Sequence, residues 1–148
     1  MRVRHKIGFG IYLLNAIMAI AWGFVFFFSS KMMPFHAQVI GKNWAELDQG
    51  IQVVILTLMH IVGAELITVG LISLVVLIIP FRRGECWANW TLFLAAIIHG
   101  GLGFFATFKV YLATNASTPW PSMLIVMVLG LAGFLFSLGI EKEKKNSH

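Results

Sequence analysis

The sequence predicts an all-α protein that crosses a membrane four times, and three observations carry that prediction. Of its 148 residues, 59% are hydrophobic and only 11% charged, with a mean hydropathy of +0.86. A water-soluble domain carries about a quarter of its residues as charged side chains; with less than half of that, this chain needs lipid as part of its solvent. Four apolar segments, at about 8–29, 51–79, 88–111 and 120–140, reach the length of roughly 20 residues that a helix needs to span a bilayer core. None shows the polar–apolar alternation of a barrel strand, and in hydrocarbon each backbone donor and acceptor must be satisfied within its own segment. Helix is therefore the only conformation left. Residues 1–148 read as a single transmembrane domain.

The first segment follows "MRVRHK", a start that imitates a secretory signal. Its apolar run is long and no small-x-small cleavage site follows, so an uncleaved anchor is expected. Between the first and second segments lies "SSKMMPFHAQVIGKNWAELDQG", where Pro34 and Gly41 argue against continuous helix. Asn43 followed by Glu46 resembles a capping box, with Glu46 and Asp48 near the positive end of a helix dipole. The second helix is accordingly expected to begin near Trp44. "PFRRGE" predicts a tight turn before the third segment. "NASTPWP" predicts another before the fourth, with Pro119 and Pro121 at its start. The tail "EKEKKNSH" ends the fourth helix at the surface.

Orientation follows from the basic residues. One side receives Arg2, Arg4, Lys6, Arg82, Arg83, Lys142, Lys144 and Lys145, and the other only Lys31, Lys42 and Lys109. Excess Lys and Arg mark cytoplasmic loops, so an N-in/C-in topology is expected. The same asymmetry accounts for the net charge of +5 without nucleic acid as a partner. Trp87, Trp90, Tyr111 and Trp120 fall where interfacial aromatic belts are expected. His5 and His36 lie at or outside the interfaces with no visible partner, and the "FVFFF" run reads as lipid-facing.

The informative stretch is "MHIVGAELIT" at 59–68, which places His60 and Glu65 inside lipid. At 100° per residue, Thr57, His60, Glu65 and Thr68 fall within an arc of about 140°. Gly63 and Gly70 lie opposite, where small residues admit another backbone. On the third segment Ala96, His99, Gly100, Gly103 and Thr107 share a face, with His99 at mid-depth like Glu65. Joined by a short turn, the second and third helices are expected to be antiparallel neighbours. His99 then approaches Glu65 or His60, with Asn15 of the first helix slightly below that level. A lone membrane carboxylate costs a few kcal/mol on insertion scales. Glu65 is thus expected either as a protonated acid bonded to a histidine or paired with an imidazolium.

These residues admit several chemistries. Glu65, His60, His99, Asn15 and Thr68 form a candidate pocket for a lipid or a quinone. His60 and His99 are the candidate metal ligands, with Glu65 adding an oxygen, and two histidines on neighbouring helices also permit bis-histidine haem ligation. Proton or ion conduction through Glu65 requires an oligomer, since four helices leave little room for a pore. The bland alternative is polar glue in a scaffold without a ligand. A single cysteine, Cys86, excludes an internal disulfide or a multi-cysteine metal site. It sits beside Glu85, which would not lower its thiol pKa, and reads as inert. No phosphate loop, Ser-His-Asp arrangement or desaturase histidine cluster is present, so there is no positive case for an enzyme. "NAS" at 115–117 matches a glycosylation acceptor, a pattern common by chance.

The stretch "HIVGAELITVGLISLVVLIIPFRRGECWANW" resembles the second-helix region of DoxX-like proteins, in which a glycine and a glutamate precede a "GLxLL"-type run and a basic turn. Across about 40–140 the chain is also similar to small four-helix proteins of bacterial inner membranes. The resemblance implies a bundle in the bacterial cytoplasmic membrane, with quinone-linked redox enzymes among possible partners. It carries over Glu65 alone, since His60 and His99 match no motif of that family. The expected role is a non-enzymatic binding or accessory subunit for a lipid, a quinone, or a larger membrane complex or homo-oligomer. A redox protein holding haem or quinone through His60 and His99 is the alternative.

Overall fold

The computed structural model of the protein describes residues 3–138, and every regular element among them is helical. Helix α1 spans Val3–Phe27 and a short α2 spans Pro34–Ile40. Helix α3 spans Gln49–Val76 and runs on through a π-helical turn, Leu77–Phe81. Helices α4 (Cys86–Thr114) and α5 (Trp120–Ser137) follow. Four of these helices, with 25, 33, 29 and 18 residues, are long and apolar enough to cross a membrane. At 1.5 Å per residue even the shortest is about 27 Å long. The protein is a four-helix membrane bundle.

The observed helices overrun the apolar segments. α1 begins five residues earlier than the hydrophobic run, and α4 extends to Thr114. Hydropathy marks where lipid ends, whereas a helix continues until its backbone is capped. α4 stops where Asn115 adopts φ 54° and donates its N–H to Tyr111 O at 2.8 Å. Residues 139–140 of the expected fourth helix, the tail after them and Arg2 lie outside the described residues.

The connection after α1 is more ordered than a loop. Pro34 opens α2, where a missing N–H is harmless, and Gly41 at φ 70° closes it with its N–H on Ala37 O. The two supposed helix breakers bracket a helix. Asn43 and Glu46 do pair, with Asn43 N donating to Glu46 Oε2 at 3.0 Å. They cap only a 3-10 turn, Trp44–Glu46, and α3 starts after Asp48 rather than near Trp44. Gln52 Nε2 ties that turn down by donating to Trp44 O and Leu47 O. Ser117 N donates to Gln38 Oε1 at 2.8 Å, docking the connection on the α4–α5 turn.

Packing divides the bundle into two close pairs. α3 lies along α1 and α5 along α4; α1 then lies along α5, while α3 and α4 touch only sparsely. Gly63 explains the first pair, because a Cβ there would meet Phe27 N at 2.5 Å and Gly23 O at 2.7 Å. Gly100 does the same for the second pair against Met127 and Met123. Such contacts between backbones supply the dispersion that holds helices together where water expulsion does not act. The pairs join at the end where α1 begins. There Tyr12, Leu77, Phe81, Ala88 and Leu92 form the buried core, with Gly8 against Ser137. At the opposite end Phe104, Phe108, Tyr111 and Trp120 stack into an aromatic cluster that closes the α4–α5 hairpin.

Candidate functional site at the α3–α4 seam

The sparse seam between α3 and α4 holds the expected polar contact. His99 Nδ1 lies 3.3 Å from Glu65 Oε1, with the glutamate side chain 50% exposed and the histidine 23%. Glu65 is 16 residues before the end of the π-turn, about 24 Å along the axis, and His99 is 13 residues into α4, about 20 Å. The contact therefore sits in the middle of the span. Helix turn and loop length explain the match in level, since the two helices descend from a common tight turn at Arg82–Glu85.

His99 owes its position to its own helix. Ala96, Gly100 and Gly103 face α5, where Gly130 and Met123 approach them closely. His99 stands at the edge of that packed face and reaches α3 instead. Gly63 and Gly70 similarly hold one side of α3 against α1, which turns Glu65 to the seam. Small residues thus fix the direction of both ionisable side chains.

The remaining candidates are placed elsewhere. His60 Nε2 lies 3.4 Å from Ser29 O, and its ring packs on Phe27 at 5.8 Å, so its described contacts are with the end of α1. Asn15 Nδ2 donates to Val126 O at 3.4 Å, joining α1 to α5. Thr68 Oγ1 donates to Ala64 O at 2.8 Å, and Thr57 Oγ1 to Val53 O, each satisfied within its own helix. The shared arc on α3 was real, yet a broad arc faces two different neighbours. Among the described residues no three His, Cys, Asp or Glu side chains assemble into a metal-binding group, so the set of His60, His99 and Glu65 is not gathered around one point.

The Glu65–His99 pair has a definite chemical capacity. The contact uses Nδ1 and Oε1, leaving His99 Nε2 and Glu65 Oε2 without a hydrogen-bond partner among the described residues. Whether the shared proton sits on the carboxyl or on His99 Nδ1, Nε2 keeps its own hydrogen and donates outward, while Glu65 Oε2 accepts. One pair can therefore meet a carbonyl at His99 Nε2 and a hydroxyl at Glu65 Oε2.

Sequence reasoning missed a second polar set, buried where the helices converge. His5, expected at the interface without a partner, is 5% exposed; its ring stacks on Phe81 at 4.4 Å with Nε2 3.0 Å from Phe81 O. Tyr12 donates to Asn89 Oδ1 at 3.1 Å, and its ring meets Phe81 edge-on. His36 also has a partner, accepting from Met33 N at Nδ1. The signal available for the first set was the seven-residue spacing of His5 and Tyr12, which places both on one face.

No protein-family model, curated protein or solved structure matches the chain. The resemblance to DoxX-like proteins thus rests on the quoted residues alone, and Glu65 is read from its geometry.

Proposed function

We propose that the protein is a binding or accessory subunit of a bacterial cytoplasmic membrane, oriented N-in/C-in, and that the α3–α4 seam takes the polar head of a lipophilic molecule. The observation that carries this reading is the Glu65–His99 contact: a half-exposed carboxyl and an imidazole bridging two helices that otherwise scarcely pack. Intramembrane ionisable groups are expensive and mark ligand or proton sites more often than their soluble counterparts do. Helices that pack so sparsely give a ligand a sideways approach from the bilayer, and the adjacent donor and acceptor suit a head bearing carbonyl or hydroxyl oxygens. A quinone is the class that fits both requirements.

The test is mass spectrometry of the protein extracted in native membrane discs. The expected result is a quinone enriched over the surrounding lipid in the wild type and lost in Glu65→Gln/His99→Ala. Equal quinone content in both, at the level of bulk membrane, refutes the reading.

The scaffold reading also has a specific observation in its favour, because the two side chains partner one another at Nδ1 and Oε1. It predicts that Glu65→Gln, whose amide still bonds to the imidazole, leaves both stability and any bound ligand unchanged. Binding-site chemistry requires that the same substitution release the ligand.

A further inference from the structure

Two basic segments that are far apart in sequence meet at one corner of the bundle. His5 is flanked by Arg4 and Lys6, and Phe81 is followed by Arg82 and Arg83. The His5 ring stacks on the Phe81 ring with an interplanar angle of 9°, and Nε2–H donates to the Phe81 carbonyl across 76 positions of sequence. That carbonyl also accepts Gly84 N at 3.0 Å, so the imidazole is fastened to the turn itself rather than to a mobile side chain. The contact sets the first turn of α1 against the α3–α4 turn. All four cations are exposed, and none forms an ion pair among the described residues. The neighbouring acid, Glu85, is engaged: its Oε2 accepts Trp87 Nε1 at 2.6 Å.

We infer that this corner is a binding site for a phospholipid whose headgroup carries two phosphates. It lies at the end of the membrane spans, at headgroup depth, with Trp87 exposed beside it as an interfacial anchor. Arginine forks pair with phosphate oxygens in bidentate geometry. Diffuse attraction to an anionic surface depends only on how many cations are present. This corner is instead built by a buried contact that fixes two basic segments against one another, Arg4 and Lys6 projecting to either side of His5 on α1 and Arg82 with Arg83 following Phe81, so a headgroup with two phosphates can engage both segments at once. A headgroup with one phosphate engages one segment. The site is independent of the seam at Glu65, which lies about 24 Å away along α3.

The test uses the full chain in phosphatidylcholine discs, titrated with tetraoleoyl cardiolipin or with phosphatidylglycerol at equal total charge, and bound lipid is counted by native mass spectrometry. The expected result is saturable retention of one cardiolipin, in preference to phosphatidylglycerol. Each cation near an anionic surface is worth about five-fold in affinity, so Arg82→Gln/Arg83→Gln should weaken cardiolipin by about 30-fold. His5→Ala, which leaves all four cations in place, should abolish the preference, and His5→Phe, which retains the stacking, should restore most of it. Cardiolipin binding by His5→Ala equal to wild type, or no preference between the two lipids, overturns the assignment. If His5→Ala does not fold, Arg82→Gln/Arg83→Gln and Arg4→Gln/Lys6→Gln decide. Loss of the cardiolipin preference in both supports a site built from two segments, and equal weakening of both lipids in proportion to charge overturns it.

Discussion

Replacing Gly63 with alanine drives a methyl group into the backbone of α1. The added Cβ would stand 2.5 Å from Phe27 N, 2.7 Å from Gly23 O and 2.8 Å from Phe27 Cα. Ordinary van der Waals contact begins near 3.4 Å, so α1 and α3 must separate by about 0.9 Å at this point. A radial gap of about that size forfeits a quarter to a half of each dispersion well along the contact. Overpacking of this kind costs about 1–3 kcal/mol, and backbone atoms have no rotamer by which to escape, which favours the upper half of that range. Alanine returns about 1 kcal/mol in helix propensity, leaving a net loss of about 1–2 kcal/mol. Gly10→Ala and Gly101→Ala are the controls, since a Cβ at either position meets nothing within 4 Å and only the propensity gain remains. Unfolding in bicelles by added dodecyl sulfate, followed by tryptophan fluorescence, measures all three. If Gly63→Ala is as stable as Gly10→Ala, the close approach of α1 and α3 is wrong.

Two further perturbations probe the ends of the bundle. Tyr12→Phe removes the hydroxyl that donates to the buried Asn89 Oδ1 and should cost about 1–3 kcal/mol in the same unfolding assay; Tyr12→Phe/Asn89→Leu should recover part of it, and a loss under about 0.5 kcal/mol for the single variant would falsify the buried bond. The connection between α1 and α3 should loosen in acid in two steps. Burial holds His36 below its ordinary value of 6.5, so its acceptor bond from Met33 N is fully present above pH 6.5 and is lost as the pH falls through the lower folded value. The backbone N–H of Asn43, and then its side-chain amide, hold Glu46 below the ordinary 4.5, so that contact persists to more acid pH and is lost as the pH falls through the depressed value. Amide chemical shifts of Met33 and Asn43 report each step, which His36→Gln and Glu46→Gln should respectively flatten. Midpoints at or above 6.5 and 4.5 contradict the two contacts.

Both sites depend on how the two helix pairs are joined. The pairs converge on the core around Phe81, where α1, the π-turn and α4 meet. Farther along, α3 and α4 are held apart by their commitments to α1 and α5, and Glu65–His99 is the polar contact that spans the gap. A tightly packed end and an open seam follow from one cause. The small residues of each helix, at Gly63 and Gly70 on α3 and at Ala96, Gly100 and Gly103 on α4, face the partner within the pair rather than across it.

The number of spans, their helical state and their approximate extent were legible in the sequence, because lipid imposes a length and an apolar composition that a linear chain displays directly. So was the mid-span level of Glu65 and His99, since helical rise converts sequence distance into depth. The ends of helices were less legible: Pro34 and Gly41 signal a change of direction, but the same two residues end one helix or bracket another. Which neighbour a side chain meets was decided only by tertiary structure. The arc on α3 holding Thr57, His60, Glu65 and Thr68 is wide enough to face α1 at His60 and α4 at Glu65, while the hydroxyls of Thr57 and Thr68 turn back to their own backbone. Likewise His5 and Phe81, 76 positions apart, each look unremarkable in sequence. Only the crossing of α1 over the π-turn makes them a buried contact and brings the charges beside them together, because long-range packing is a property of three-dimensional proximity that local pattern does not encode.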